Sequence, residues 1–169
     1  MSKVVVISGC SRGLGRAMAL EFCSRGWKVT GGARSADALD ELSQQIDTDC
    51  LFAQMDVIDP ASVESFARKV VEKFRAPDLL VNNAGLINQN APLAQVSPEE
   101  FASVLAVNLG GVHNMIRSFL PMMQEAGRGI IANFSSYWGQ STAPEVAPDW
   151  ATKWGGEGVT RSWAQEVPC

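Results

Sequence analysis

Long apolar runs are absent from this 169-residue chain, and no stretch approaches the ~18 residues that a membrane-spanning helix needs. Basic clusters are missing too. With 14 Lys and Arg against 18 Asp and Glu, the formal net charge is −4, which argues against nucleic acid or an anionic membrane surface as a partner. Cysteine is sparse and unpatterned: Cys10, Cys23, Cys50 and Cys169 form no Cys-x-x-Cys pair and no metal-ligand spacing. No metal site is therefore expected, and reduced cytoplasmic thiols are the simple reading. The chain enters its first strand with no signal sequence before it, which fits that compartment. Internal repeats, low-complexity segments and linkers are also lacking. The single histidine, His113, lies off the apolar stripe of its helix and reads as a solvated side chain.

What is present is ordinary globular composition, 46% apolar and 19% charged. The length suits one domain, residues 1–169, able to bury about 68–70% of its unfolded surface. β-Branched runs alternate with helical periodicity, so parallel βαβ units with right-handed crossovers are expected. The pattern predicts strands at 3–8, 28–32, 51–55, 78–82 and 129–134. Helices are predicted at 13–26, 36–46, 60–75, 98–126 and 149–166, with Pro121 kinking or restarting the fourth. Along that helix Phe101, Val104, Leu105, Val112, Met115, Ile116 and Phe119 repeat at helical spacing and read as a core stripe. The fold class is thus α/β: a Rossmann-like, doubly wound parallel sheet of about five strands.

The first strand, Val4-Val5-Val6-Ile7, runs into Ser8-Gly9-Cys10-Ser11-Arg12-Gly13-Leu14-Gly15 and then into a helix. A glycine turn between strand and helix lets backbone approach a diphosphate, which helix amides stabilise. Arg12 lies in that loop and Arg34 follows the second strand, while no Asp or Glu occurs between Thr30 and Ala36. A ribose 2′-hydroxyl calls for a carboxylate there and a 2′-phosphate for guanidinium, so NADP is favoured over NAD. Asp37 reads as a charge at the next helix's N-terminus.

Further motifs follow in order: Asn82-Asn83-Ala84-Gly85 after a strand, Asn108 inside a helix, Asn133-Phe134-Ser135-Ser136 closing another strand, and Lys153 on the last helix. Together with Gly-x-x-x-Gly-x-Gly, this set resembles the short-chain dehydrogenase/reductase family over essentially the whole chain. The resemblance implies hydride transfer between a nicotinamide and a small carbonyl or secondary alcohol. It implies that Gly9, Ser11, Arg12, Gly13, Leu14 and Gly15 cradle the cofactor, with Arg34 beside them. Asp56 and Val57 would bracket the adenine, and Asn82, Ala84 and Gly85 would line the central crevice. Ser136 would bind the substrate oxygen, Lys153 the ribose, and Asn108 a water of the proton relay.

One position departs from the family. Its catalytic Tyr-x-x-x-Lys would place tyrosine at 149, where this chain has Asp149. The only tyrosine, Tyr137, directly follows Ser136 and cannot take that place. With Lys153 one turn away, Asp149 is expected to be ionised and purely an acceptor, its carboxylate stopping short of a phenol's reach. It reads better as a helix-start residue after Pro148. The resemblance further implies that strands six and seven and the substrate lid are missing, leaving strand five a bare edge. The last helix carries Gly155, Gly156 and Gly158, with Trp150 and Trp154 on one face and Trp163 opposite. Those tryptophans either cover the exposed core locally or build a homodimer interface, and the resemblance, in which this helix packs against its twin, implies a homo-oligomer. Two readings follow: an NADP-dependent oxidoreductase with impaired chemistry, or a non-catalytic, truncated or engineered nucleotide-binding scaffold that self-associates.

Overall fold

Val4–Ser8 (β1) is apolar on both sides because it lies in the middle of the sheet. In the computed structural model, which describes residues 2–47, 49–136 and 141–167, it is flanked by Lys28–Ala33 (β2) and Leu79–Asn82 (β4). Cys50–Gln54 (β3) and Ile130–Asn133 (β5) lie outside these, giving the all-parallel order β3-β2-β1-β4-β5. In register, Val5 pairs with Val29 on one side and Leu79 on the other, and Leu80 pairs with Ile131. The five expected strands are all present, with ends shifted by a residue.

Successive strand residues point to opposite faces, and each face has its own core. Val5 and Ile7 pack with Ala19, Val29, Leu39 and Leu42, covered by Gly13–Ser24 (α1) and Ala36–Ser43 (α2). Val6 and Leu80 pack with Phe66, Val70, Met115 and Phe119, covered by Pro60–Lys73 (α3) and Val112–Glu125 (α5). Local chemistry sets the helix starts: Ser35, Asp59 and Ser97 each cap a helix by accepting from its first-turn amides, and Pro60 and Pro98 occupy first-turn positions. Asp37 lies in the first turn of α2, as its sequence position suggests.

The predicted helix over 98–126 is instead three segments: Pro98–Leu105 (α4), a π-helical stretch Ala106–Gly111, and α5. The interruption comes from Asn108, whose side chain bonds both backbone groups of Leu86, and from two adjacent glycines that weaken the helix there. The helix does not restart at Pro121; α5 runs through it. That residue is exposed within α5, near its end, where water can serve the carbonyl that loses its bond. His113 is exposed, as expected.

The last helix, Ala147–Trp163 (α6), starts two residues earlier than predicted. Its tryptophans separate by environment: Trp150 is 4% exposed and Trp154 52%. Among the described residues, no helix is long and apolar enough to cross a membrane.

Candidate functional site

The carboxyl ends of β1 and β4 are locked together before any ligand is considered. Ser8 Oγ accepts from the amides of Asn83 and Ala84, both at 3.1 Å. Asn83 returns the contact through its side chain, donating to the carbonyls of Ser8 (3.0 Å) and Gly9 (3.1 Å). The glycine loop is thereby fixed in shape. Gly9 has φ +69°, and a Cβ there would come within 2.8 Å of the Ala84 backbone. A Cβ on Gly15 would collide with the Gly9 carbonyl. Both positions admit only glycine, which lets the loop pack closely at α1's N-terminus.

That loop forms one wall of a cleft of about 610 Å³. Gly9, Ser11, Arg12, Gly13, Leu14 and Gly15 line one side; Arg34, Asp56, Val57, Ala84 and Gly85 complete it. Eleven of the sequence-predicted cofactor positions thus converge, and among the described residues neither Arg12 nor Arg34 is engaged in an ion pair. Asn82 is the correction: it is 3% exposed and gives its amide to Asn133 at 2.7 Å instead of lining the cleft. Its neighbour Asn83 lines the cleft and braces the loop. The strand-end position of Ser8 and the doubled asparagine were the only signals for that brace. Cys10, also in the loop, is fully buried, and burial pushes its thiol up to about 12, so it stays protonated at neutral pH.

The second group of predicted residues gathers on a different cavity, a chamber of about 80 Å³ lined by Asn108, Asn133, Ser135, Lys153 and Thr160 among others. Lys153 is half-buried, with Nζ donating to the Phe134 carbonyl at 3.4 Å. Ser136 is exposed beyond β5 and lines neither cavity. Tyr137 lies outside the described residues. Asn108 is heavily engaged: its Oδ1 accepts from the Leu86 amide at 2.8 Å, and its two Nδ2 hydrogens are shared among Leu86 O (2.8 Å), Thr152 Oγ1 (2.9 Å) and Asp149 Oδ1 (3.2 Å).

Asp149 lies in the first turn of α6, as expected, but not as a solvated charge. It is 5% exposed and turned toward Asn108. Burial raises its pKa above the ordinary carboxyl value; Lys153 and the Asn108 bond oppose that shift without cancelling it. Lys153 one turn away does not set the direction of the shift, because desolvation outweighs the single cation. The linkage follows from the sign. As pH rises past the ordinary carboxyl range, the unfolded chain loses this proton first, so Asp149 lowers stability toward neutrality. Asp149→Asn keeps an oxygen for Asn108 without the charge. Its melting temperature should exceed the parent's at pH 7, by about 2–4 °C per kcal/mol recovered, with the gain vanishing at acid pH. A lower or equal melting temperature at pH 7 would show that the charge is well solvated.

Comparison with known proteins accords with this geometry. A profile of the short chain dehydrogenase family matches residues 3–168. An NADPH-dependent pterin aldehyde reductase of Arabidopsis thaliana is 46% identical over 168 residues, covering 98% of this chain and 69% of the relative. An alcohol dehydrogenase of Thermococcus sibiricus, solved with 5-hydroxy-NADP, superposes with a TM-score of 0.90 at 34% identity, covering 98% of this chain and 72% of that one. A short chain dehydrogenase/reductase of Burkholderia phymatum, solved with NAD, superposes with a TM-score of 0.94 at 28% identity, covering 98% and 60%.

Proposed function

The chain belongs to the short-chain dehydrogenase family, and we propose that it binds NADP(H) in the cleft shared by Arg12 and Arg34 and carries an impaired form of the family's carbonyl–alcohol chemistry. The observation that carries this reading is the pairing of a side-chain-free backbone cradle with two guanidinium groups lining one cleft, neither of them in an ion pair among the described residues. The glycine loop presents amides to a diphosphate, and the guanidinium groups suit the additional 2′-phosphate. The Burkholderia neighbour holds NAD, so the fold itself accepts either nucleotide; the arginines favour the phosphorylated one.

Within this reading Gly9, Ser11, Gly13, Leu14 and Gly15 hold the diphosphate, Asp56 and Val57 bracket the adenine, and Ala84 and Gly85 face the middle of the cofactor. Lys153 binds the nicotinamide ribose and Ser136 the substrate oxygen. When bound, the nicotinamide supplies hydride chemistry; the chain's own residues orient substrate and cofactor. A small carbonyl or secondary alcohol is the substrate class. The impairment rests on Asp149, whose carboxyl is turned to Asn108 where the family would have a phenol. The exposed Trp154 and Val159 of α6 support self-association, and sedimentation velocity at rising concentration reads it directly.

NADPH titration tests the central claim. At one hundred times Kd the ligand adds about 2.7 kcal/mol to stability, which in a domain of this size raises the melting temperature by roughly 5–11 °C. Absence of any shift with both NADPH and NADP+ would remove the cofactor assignment.

A further inference from the structure

We propose that Thr160 is a positioning residue for Lys153, fixing it for the nicotinamide ribose through a directed hydrogen-bond chain anchored in the sheet. The inference rests on the cofactor reading above. The chain starts at the carboxyl end of β4, where Asn82 Nδ2 donates to Asn133 Oδ1 of β5 at 2.7 Å; these two residues are register partners. Asn133 Nδ2 then donates to Thr160 Oγ1 on α6 at 2.9 Å, and Thr160 Oγ1 donates to the Gly156 carbonyl at 2.7 Å. Every link has a defined sense. The Thr160 hydroxyl spends its one proton on Gly156, so it must accept from Asn133. The Asn133 amide therefore turns its oxygen to Asn82. Chains polarised in one direction reinforce each other in a low-dielectric interior.

The place where this chain ends is what gives it a function. Gly156 lies three residues after Lys153, and both line the small chamber together with Asn133 and Thr160. The helix between Lys153 and Thr160 includes Gly155, Gly156 and Gly158, each up to about 1 kcal/mol worse than alanine in a helix. Its own sequence does not stiffen this stretch. On the other side of Lys153, Asn108 holds Thr152 and Asp149, so the lysine sits between two polar ties. The tie through Thr160 leads back along β4 to the turn whose Ala84 and Gly85 line the cofactor cleft. It is therefore a rigid link between the cleft wall and the helix bearing the ribose-binding lysine.

The test uses two ligands that differ at the predicted point of action. NADPH has the nicotinamide ribose; adenosine 2′,5′-bisphosphate has the adenine and 2′-phosphate but not that ribose. Thr160→Val removes the hydroxyl at nearly constant volume and should weaken NADPH about five- to tenfold, the worth of one well-placed hydrogen bond, with the bisphosphate unchanged. Thr160→Ser should restore NADPH binding. Lys153→Met should show the same split, since it removes the group being positioned. Should the valine variant fail to fold, Thr160→Ala is read in the same way. Parent-like NADPH binding in the valine or alanine variant overturns the inference while leaving the cofactor reading intact. Equal weakening of both ligands also overturns it, since that is general loosening of the cleft. A parent that binds neither ligand overturns the cofactor reading and this inference with it.

Discussion

Arg34→Ala should weaken NADPH binding about 10- to 100-fold while NADH binding stays within about twofold, because a hydrogen bond to a charged group is worth about 1.5–3 kcal/mol. Arg34 and Arg12 approach the cleft from different elements, the end of β2 and the cap of α1. Both are exposed, so neither owes its position to burial. Arg12→Ala should lower NADPH affinity in the same direction. If both arginines grip one phosphate, the double variant should cost more than the sum of the single losses, since either guanidinium alone partly neutralises the charge. The preference for NADPH over NADH should then disappear. Salt provides an independent check: the parent's NADPH affinity should fall with ionic strength more steeply than that of the double variant. Isothermal titration with both nucleotides at two salt concentrations measures all of this. Equal losses for NADPH and NADH in Arg34→Ala would mean that the arginine holds the diphosphate and does not discriminate the 2′ position.

The glycine-loop wall of the cleft was legible in the sequence because it depends on local backbone chemistry. Val4–Ile7 marks a buried strand, and glycines at 9, 13 and 15 follow it directly; both Gly9 and Gly13 adopt positive φ. Helix starts were equally readable, since Ser35, Asp59 and Ser97 act within their own first turns. The features that escaped sequence reading are those fixed by distant partners. The π stretch at 106–111 exists because Asn108 reaches Leu86, 22 residues away. Periodicity over 98–126 runs straight through it, since the apolar stripe resumes on the far side. Asn82 and Asn83 are adjacent and chemically identical, yet strand alternation sends one into the sheet to meet Asn133 and the other to the glycine loop. Asp149 shows the same limit most sharply. Its spacing to Lys153 suggested an ionised helix-start acceptor, whereas the structure buries it against Asn108 and burial raises its pKa above the ordinary carboxyl value.

Turnover should be the property most affected by that substitution. General acid catalysis contributes about 10²- to 10⁴-fold, and a typical kcat is about 10 s⁻¹, so reduction of aldehydes and ketones by this chain should run at about 10⁻¹ to 10⁻³ s⁻¹. A phenol held near a cation can donate to a nascent alkoxide and accept from an alcohol near neutrality. Asp149 has a raised pKa, so it keeps its proton to higher pH than an ordinary carboxyl, but its Oδ1 accepts from Asn108 and its side chain is 5% exposed. Position therefore denies it the substrate whatever its protonation state. Asp149→Asn separates these two factors: if geometry is the limit, the variant keeps the parent's residual rate, and if a protonated carboxyl supplies the acid, the residual rate falls further and its pH profile changes. NADPH oxidation followed by absorbance at saturating cofactor, with a panel of small aldehydes and ketones, gives both rates. Turnover near 10 s⁻¹ in the parent would show that another group delivers the proton, with Ser136 and the ribose held by Lys153 the first places to look.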